Sequence, residues 1–176
     1  MKKITIEDVI NKRFADDDNY LKNGLDFVAH LRNLDFSLNE YDKEVKTYGF
    51  DVKYKGITLC HIHITQMNIR IFNHQDSKAP FSWICQYNGE NDIERIEPVV
   101  DENIKETVWK NVRKCRKSCE GSCSPGTSVK VLGKKFDNVC ACIIGFYKFT
   151  TDSDWECIKQ IVTAKKNDFD NMQRTE

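Results

Sequence analysis

The sequence predicts an α+β fold, an antiparallel sheet with helices packed on one face, in a single domain. Three observations lead there. Apolar residues recur at helical spacing near both ends of the chain and at strand spacing between about residues 36 and 90. Helical and strand segments come in blocks rather than in strict alternation, which favours α+β over a doubly wound sheet. No repeat, low-complexity tract or Pro/Gly-rich linker divides the 176 residues, a length that suits one hydrophobic core.

The first 35 residues read as helical. Thr5 with Asp8 three positions on has the form of a capping box, and Val9, Ile10 and Phe14 then share a face. The run Asp16-Asp17-Asp18 offers a cap and favourable charge to a second helix. That helix carries Leu21, Leu25, Val28 and Leu31 as its apolar stripe. Residues 36–90 read as a strand meander. "YGFDVKYKGITLCHIHI" turns at Tyr54-Lys55-Gly56, and "NIRIFNH" and "FSWICQY" are two more β-rich runs separated by "QDSKAP". Short connections favour antiparallel pairing.

Residues 98–120 read as a long helix with Asp101 as its cap after Pro98. Its stripe is Ile104, Val108, Val112, Cys115 and Cys119. Residues 121–150 supply a cysteine loop and a hairpin, turning at Gly133-Lys134 or at Asp137-Asn138. Ser153 and Glu156 form a capping box for a last helix over 153–166 that uses Cys157, Ile158, Ile161 and Val162.

Hydrophobic residues make up 40% of the chain and charged residues 31%, the balance of a globular rather than a disordered protein. With 27 basic and 27 acidic side chains the formal net charge is zero. Bulk electrostatics therefore steers the protein toward neither nucleic acid nor anionic lipid. "MKKITIEDVI" leads straight into charge, without the apolar stretch of a secretory signal. "VCACIIGF" is too short to span a bilayer. The expectation is a cytoplasmic protein with no membrane partner, acting on a small ligand or another protein. In a reducing compartment its eight cysteines are thiols, thiolates or metal ligands rather than a disulfide framework.

Five of those cysteines are grouped: Cys115, Cys119 and Cys123 in "CRKSCEGSCSPG", and Cys140 and Cys142 in "NVCAC". On a continuous helix Cys115 and Cys119 share a face. Cys123 falls in a Gly/Ser/Pro loop, where core packing is disfavoured and a metal knuckle is not. On a strand Cys140 and Cys142 project to one side. Four converging thiolates are what a structural Zn2+ ion requires. The spacing C-x3-C-x3-C-x16-C-x-C nevertheless matches no strong zinc template, and it fits none of the usual iron–sulfur runs. Arg113, Lys114, Arg116 and Lys117 could balance a tetrathiolate or raise thiolate character without metal. Inert core thiols, a metal site with four of the five as ligands, and a reactive thiol all remain open. Cys60, Cys85 and Cys157, in periodic apolar segments, read as core.

The combination "WKNVRKC…C…CSPG" followed by "LGKKFDNVC" resembles an uncharacterised family of small Gram-positive bacterial proteins. That family has a cysteine cluster ending in Pro-Gly and a G-K-x-F-x-x-V-C hairpin. The resemblance covers roughly residues 50–165. It implies that Cys119, Cys123, Pro125, Gly126, Gly133, Phe136 and Cys140 belong to a family pattern, and it brings no activity with it.

Three other features compete for a role. His61 and His63 in "CHIHI" share one strand face, which suits a chelating or acid–base pair but also a solvated outer face; a Cys–His nucleophile would need a contact that spacing cannot supply. Residues 110–135 hold eight Lys/Arg and only Glu120 as an acid, a face that could hold phosphates or simply suit a helix C-terminus. Tyr41, Tyr48, Phe50, Tyr54, Phe72, Phe81 and Trp83 could line a pocket or form the sheet's core. No Walker loop, Gly-rich dinucleotide fingerprint, HExxH or GxSxG is present. The functional expectation is a non-enzymatic ligand-binding or regulatory domain with the cysteine cluster as a structural zinc site. Its alternatives are a thiol-dependent enzyme or redox sensor using Cys123, and a nucleic-acid-binding module using residues 110–135.

Overall fold

Helix α1, Ile6–Arg13, starts at the capping box predicted for it. Thr5 accepts from the Asp8 N–H while the Asp8 carboxylate accepts from the Thr5 N–H, both at 3.1 Å. Helix α2, Asp18–Asn33, is capped by the Asp17 carboxylate, which accepts from the Tyr20 N–H. Of its expected stripe Val28 and Leu31 are buried, and Leu21 and Leu25 are half-buried. Phe27 completes the inward face. Gly24 faces Ile10 of α1, where a Cβ would make an ordinary packing contact at 3.5 Å. The computed structural model describes residues 4–43, 47–65, 81–85, 93–112, 114–115, 126–139 and 146–174.

Four strands follow: β1 (Ser37–Lys43), β2 (Thr47–Tyr54), β3 (Ile57–Thr65) and β4 (Phe81–Cys85). Lys55 and Gly56, with φ of 48° and 86°, make the tight turn between β2 and β3, the backbone a two-residue hairpin of right-handed twist requires. The run "NIRIFNH" lies outside the described residues. A 3-10 helix, Ile93–Val99, precedes helix α3, Glu102–Asn111, which is capped by Asp101 as predicted. Then come β5 (Thr127–Val131), β6 (Lys134–Val139), β7 (Phe146–Lys148) and helix α4 (Asp152–Arg174).

The large sheet is antiparallel in the order β1-β2-β3-β4-β7, and β5-β6 form a separate two-stranded ribbon. The helices cover one face of the sheet. Phe50, Val52, Tyr54, Cys60, Ile62, Ile64, Phe81 and Trp83 are buried from the strands, with Phe27, Leu31, Trp155, Ile158, Ile161, Val162 and Phe169 opposite them from α2 and α4. Phe27, Phe81, Phe149 and Trp155 form its aromatic centre, the Phe149 and Trp155 rings 4.3 Å apart and those of Phe81 and Trp155 4.9 Å apart. Phe50, Tyr54, Phe81 and Trp83 are thus core rather than the lining of an open pocket.

Several boundaries differ from expectation. The helix predicted over 98–120 is shorter at both ends. Pro98 sits inside the preceding 3-10 helix, and α3 starts only after the Asp101 cap. At the other end Val112 turns extended (φ −63°, ψ 123°), and Lys114 enters an isolated bridge with Val139. Pairing with β6 outweighs the helical pattern there, so Cys115 is not on a helix. The hairpin turn falls at Leu132-Gly133 (φ 46° and 84°). Asp137-Asn138, the other candidate turn, is instead a bulge: two β6 residues face Ser128 between the pairs Thr127–Val139 and Val129–Phe136, and Asn138 takes φ 60°. The segment "FYK" does not extend that hairpin; β7 pairs with β4 in the large sheet.

Helix α4 begins and ends differently from the 153–166 prediction. The cap is Thr151, whose hydroxyl accepts from the Asp154 N–H, and the Asp154 carboxylate accepts from the Thr150 and Thr151 N–H groups and both hydroxyls at 2.7–2.9 Å. At the far end the helix runs on to Arg174, because Phe169 is buried and Met172 packs against the core.

Candidate functional site

Helix α4 is buried on one side only, and its other side forms the floor of a groove. His30 of α2 stands on one bank; Arg95 and Val99 of the 3-10 helix stand on the other. The floor comprises Glu156, Lys159, Gln160, Thr163, Ala164, Asn167, Asp168 and Asn171, successive turns of one helix face. The groove encloses about 860 Å3, within the range of small-molecule sites. Most of the groove's surface is apolar although most of its lining residues are polar by type, and Val99, 72% exposed, stands on its rim.

Hydrogen bonds fix the donors and acceptors of this groove. The Thr163 hydroxyl donates to the Lys159 carbonyl at 2.8 Å, so its oxygen is left to accept from His30 Nε2 at 3.1 Å. Nε2 also faces the Lys159 carbonyl at 3.3 Å. A carbonyl only accepts, so this network assigns the hydrogen to Nε2 and makes Nδ1 of the neutral ring an acceptor. Charges sit at the margins in ion pairs. Arg95 Nε donates to Asp168 at 2.8 Å, tying the 3-10 helix to α4. Lys159 contacts Glu156 at 2.7 Å and also Asp26. Burial opposes charge on Lys159, but the bonds to Asp26 and Glu156 outweigh it and hold its ammonium above the usual lysine range. Gln160 and Asn167 add amides, each both donor and acceptor.

The cysteine region is the second feature. Among the five candidate metal ligands only Cys115 belongs to the described residues; Cys119, Cys123, Cys140 and Cys142 lie outside them. Cys115 is half-buried and in no disulfide. Its N–H donates to the Asn138 carbonyl at 2.6 Å, and Asn138 Nδ2 donates back to the Cys115 carbonyl at 3.3 Å. Gly126 closes the third side: a Cβ there would stand 2.8 Å from both the Cys115 Cβ and the Asn138 Cα. Cys115, Gly126 and Asn138, spread over 24 residues of the chain, thus meet at one point. Among the described residues no group of three His, Cys, Asp or Glu side chains is placed to hold a metal ion.

The remaining candidates resolve into structure. Cys60 and Cys157 are buried, as expected of core cysteines. His61 and His63 project from the sheet face opposite the buried Cys60, Ile62 and Ile64, and both are half-exposed. His61 Nδ1 lies 2.9 Å from the Asp51 carboxylate of the neighbouring strand. In the basic segment Lys130 pairs with Glu94 at 3.0 Å, Lys135 with Asp137 at 3.4 Å, and Lys134 lies over the Trp109 and Phe136 rings. Lys130 and Lys134 help to dock the ribbon, since Glu94 also accepts the Gly133 N–H and Trp109 donates its indole N–H to the Val131 carbonyl at 2.7 Å, whereas the Lys135–Asp137 pair lies within β6.

Sequence reasoning missed the groove. Its residues come from three elements distant in sequence and are polar side chains of ordinary type. The available signal was the continuation of helical spacing through Lys165, Phe169 and Met172, which extends α4 and with it the groove floor. Neither a family model, nor a curated protein, nor a solved structure matches this chain. No helix among the described residues is long and apolar enough to cross a membrane.

Proposed function

We propose that this chain is a non-enzymatic ligand-binding domain and that the groove along α4 receives a polar small molecule with no net charge. The groove itself carries the reading. Both of its cations already face carboxylates, Arg95 on Asp168 and Lys159 on Glu156 and Asp26, so a strongly anionic ligand would find no uncompensated positive charge. What it offers instead is donor and acceptor groups from His30, Gln160, Thr163 and Asn167 beside the apolar Ala164 and Val99. Backbone amide spectra of the labelled protein, titrated with a panel of neutral polar metabolites, test this. The expected outcome is a saturable shift confined to residues 156–171, 95–99 and around 30, abolished in Ala164→Trp, where an indole fills the groove. Shifts absent across the panel, or unchanged in the variant, would overturn the reading.

A second reading concerns the cysteines, with a structural Zn2+ ion held by four of Cys115, Cys119, Cys123, Cys140 and Cys142. Its support is the meeting of Cys115, Gly126 and Asn138. The stretch bearing Cys119 and Cys123 starts just after Cys115 and ends just before Gly126, and Cys140 follows directly on Val139, the bridge partner of Lys114. The segment bearing Cys119 and Cys123 is thus held at both of its ends, and the one bearing Cys140 and Cys142 at its start. Elemental analysis of protein purified without added metal is decisive: occupancy below about a tenth of an equivalent sinks the zinc site, since structural sites are held tightly. The reactive-thiol and nucleic-acid readings have no comparable support; of the ribbon's lysines, Lys130 and Lys134 are engaged with Glu94 and Trp109.

A further inference from the structure

The groove along α4 is long and narrow. Its floor runs from Glu156 to Asn171, which at a helical rise of about 1.5 Å per residue is about 22 Å. Spread over that length, its volume of about 860 Å3 corresponds to a mean cross-section of about 40 Å2. A single extended chain in a sheet fills about 48 Å2, the product of a strand spacing of about 4.8 Å and a sheet spacing of about 10 Å. The groove is therefore one extended chain wide, and at about 3.3 Å per residue it takes about six residues. Among the described residues no Phe, Tyr or Trp lines it, so it lacks the flat ring on which a nucleobase stacks. Gln160 and Asn167 present carboxamides from the floor. Each is both donor and acceptor, the combination that a peptide main chain requires.

The two ends of the groove differ in charge. Toward Asn171, Arg95 meets Asp168 one to one at 2.8 Å. At the Glu156 end Lys159 faces two carboxylates, Glu156 at 2.7 Å and Asp26. The Lys159 side chain is largely covered, 15% exposed, whereas those of Glu156 and Asp26 are 64% and 59% exposed. One negative charge is thus left over in this cluster, on carboxylates that a ligand can reach. We propose that the ligand is a short extended peptide of about six residues, held along its main chain, with its N-terminal ammonium against Glu156 and Asp26. The proposal rests on the ligand-binding reading of the groove and gives that ligand a class. The ammonium brings the Glu156 end to two cations and two carboxylates, a charge match that selects one direction of the chain. From there the peptide runs over Gln160 and Asn167, exchanging hydrogen bonds with their carboxamides, and sets its side chains against Ala164 and Val99. Its carboxylate end leaves past Asn171, since the Arg95–Asp168 pair has no positive charge to spare for it. A peptide with uncharged side chains carries one ammonium and one carboxylate, so it meets the requirement of no net charge.

The test uses the full chain, labelled for backbone amide spectra. The probes are a mixture of hexapeptides built from Ala, Ser and Val with free N-termini, the same mixture N-acetylated, the corresponding dipeptides, and maltohexaose as a long neutral molecule without amide groups. The free hexapeptides should give saturable shifts at residues 156–171, 95–99 and around 30. Acetylation removes the ammonium and should weaken binding about tenfold, the worth of a hydrogen bond to a charged group. Dipeptides, covering a third of the floor, should bind at least about tenfold more weakly than the hexapeptides. In Glu156→Gln combined with Asp26→Asn, free and acetylated hexapeptides should bind alike; the native chain with the two mixtures gives the main comparison without any substitution. Hexapeptides that leave the groove unshifted, or that bind no better free than acetylated, would overturn the proposal. If maltohexaose or a neutral metabolite then shifts the same residues, the groove reading stands without the peptide; if no probe shifts them, both fall.

Discussion

The Tyr20 hydroxyl donates to the Phe149 carbonyl at 2.6 Å, joining the first turn of α2 to the residue that leads from β7 toward α4. The ring itself stacks on Phe14 and meets Trp155 edge-on. This is how the N-terminal helices are fastened to the C-terminal half. Burial, followed by the nearby Asp17 and Asp154 carboxylates, pushes the phenol up to about 12. Tyr20→Phe should cost about 1 kcal/mol in denaturant unfolding at neutral pH through the lost bond. The alkaline side carries a separate signature. The folded pKa is raised, so its contribution is intact below the unfolded value of about 10 and is lost as pH climbs from there toward 12. Unfolding curves between those limits should fall more steeply for the native chain than for Tyr20→Phe; parallel curves would contradict the assignment.

Asp154 gathers four hydrogen bonds from Thr150 and Thr151 at the start of α4. Burial opposes its ionisation, yet these donors prevail and hold the carboxyl below its usual range. Asp154→Ala should cost about 1–2 kcal/mol, the range of a lost helix cap with its charge. Ser153→Ala and Glu156→Ala, which would matter if the cap lay two residues later, should each cost under about 0.5 kcal/mol. Thermal unfolding of the three variants checks the placement of the cap.

Near the other end of α4, the Asp170 carboxylate receives Lys166 at 2.7 Å, Lys55 at 2.8 Å and the Tyr54 hydroxyl at 2.9 Å. These donors, Lys166 and Lys55 foremost, hold the carboxyl far below the ordinary carboxylate range. Because the folded pKa is depressed, the stabilisation is present above the unfolded value of about 4 and is lost as pH falls below it. Asp170→Asn should therefore be less stable than the native chain at pH 7, by about 1 kcal/mol for a water-exposed cluster. The difference should shrink as pH falls through 4 toward 2. A gap independent of pH would mean that packing rather than charge is at stake.

The fold class and the local signals at chain ends were legible because each is written in adjacent residues. Thr5 and Asp8, the Asp17 cap, Lys55-Gly56 and the Asp101 cap all specify themselves within four positions. Apart from the α4 cap, where the local Thr151–Asp154 pair was passed over for Ser153 and Glu156, what failed did so where a distant partner decided. Val112–Cys115 continues a helical stripe, but pairing of Lys114 and Cys115 with β6 draws the chain out straight. "FYK" reads as the end of a hairpin, but β4 offers it an open edge. The groove was invisible for the same reason: His30 and Thr163 are 133 positions apart, and no local pattern announces their contact.

Two glycines separate conformational strain from crowding. Gly56 has φ 86° and open space where a Cβ would stand, so Gly56→Ala should cost about 1 kcal/mol from backbone strain alone. Gly126 lies outside the left-handed region, but a Cβ there would press to 2.8 Å on the Asn138 Cα and on the Cys115 Cβ. Backbone on one side and a paired strand on the other cannot both give way, so Gly126→Ala should cost about 1–3 kcal/mol, the range for overpacking. The structural consequence should differ too. Gly56→Ala should leave the Cys115–Asn138 pairing intact, whereas Gly126→Ala should push Cys115 away from β6 and speed exchange of the Cys115 amide hydrogen. Equal exchange of that amide in both variants would show that the meeting point tolerates a side chain, and with it would go the anchoring on which the zinc reading depends.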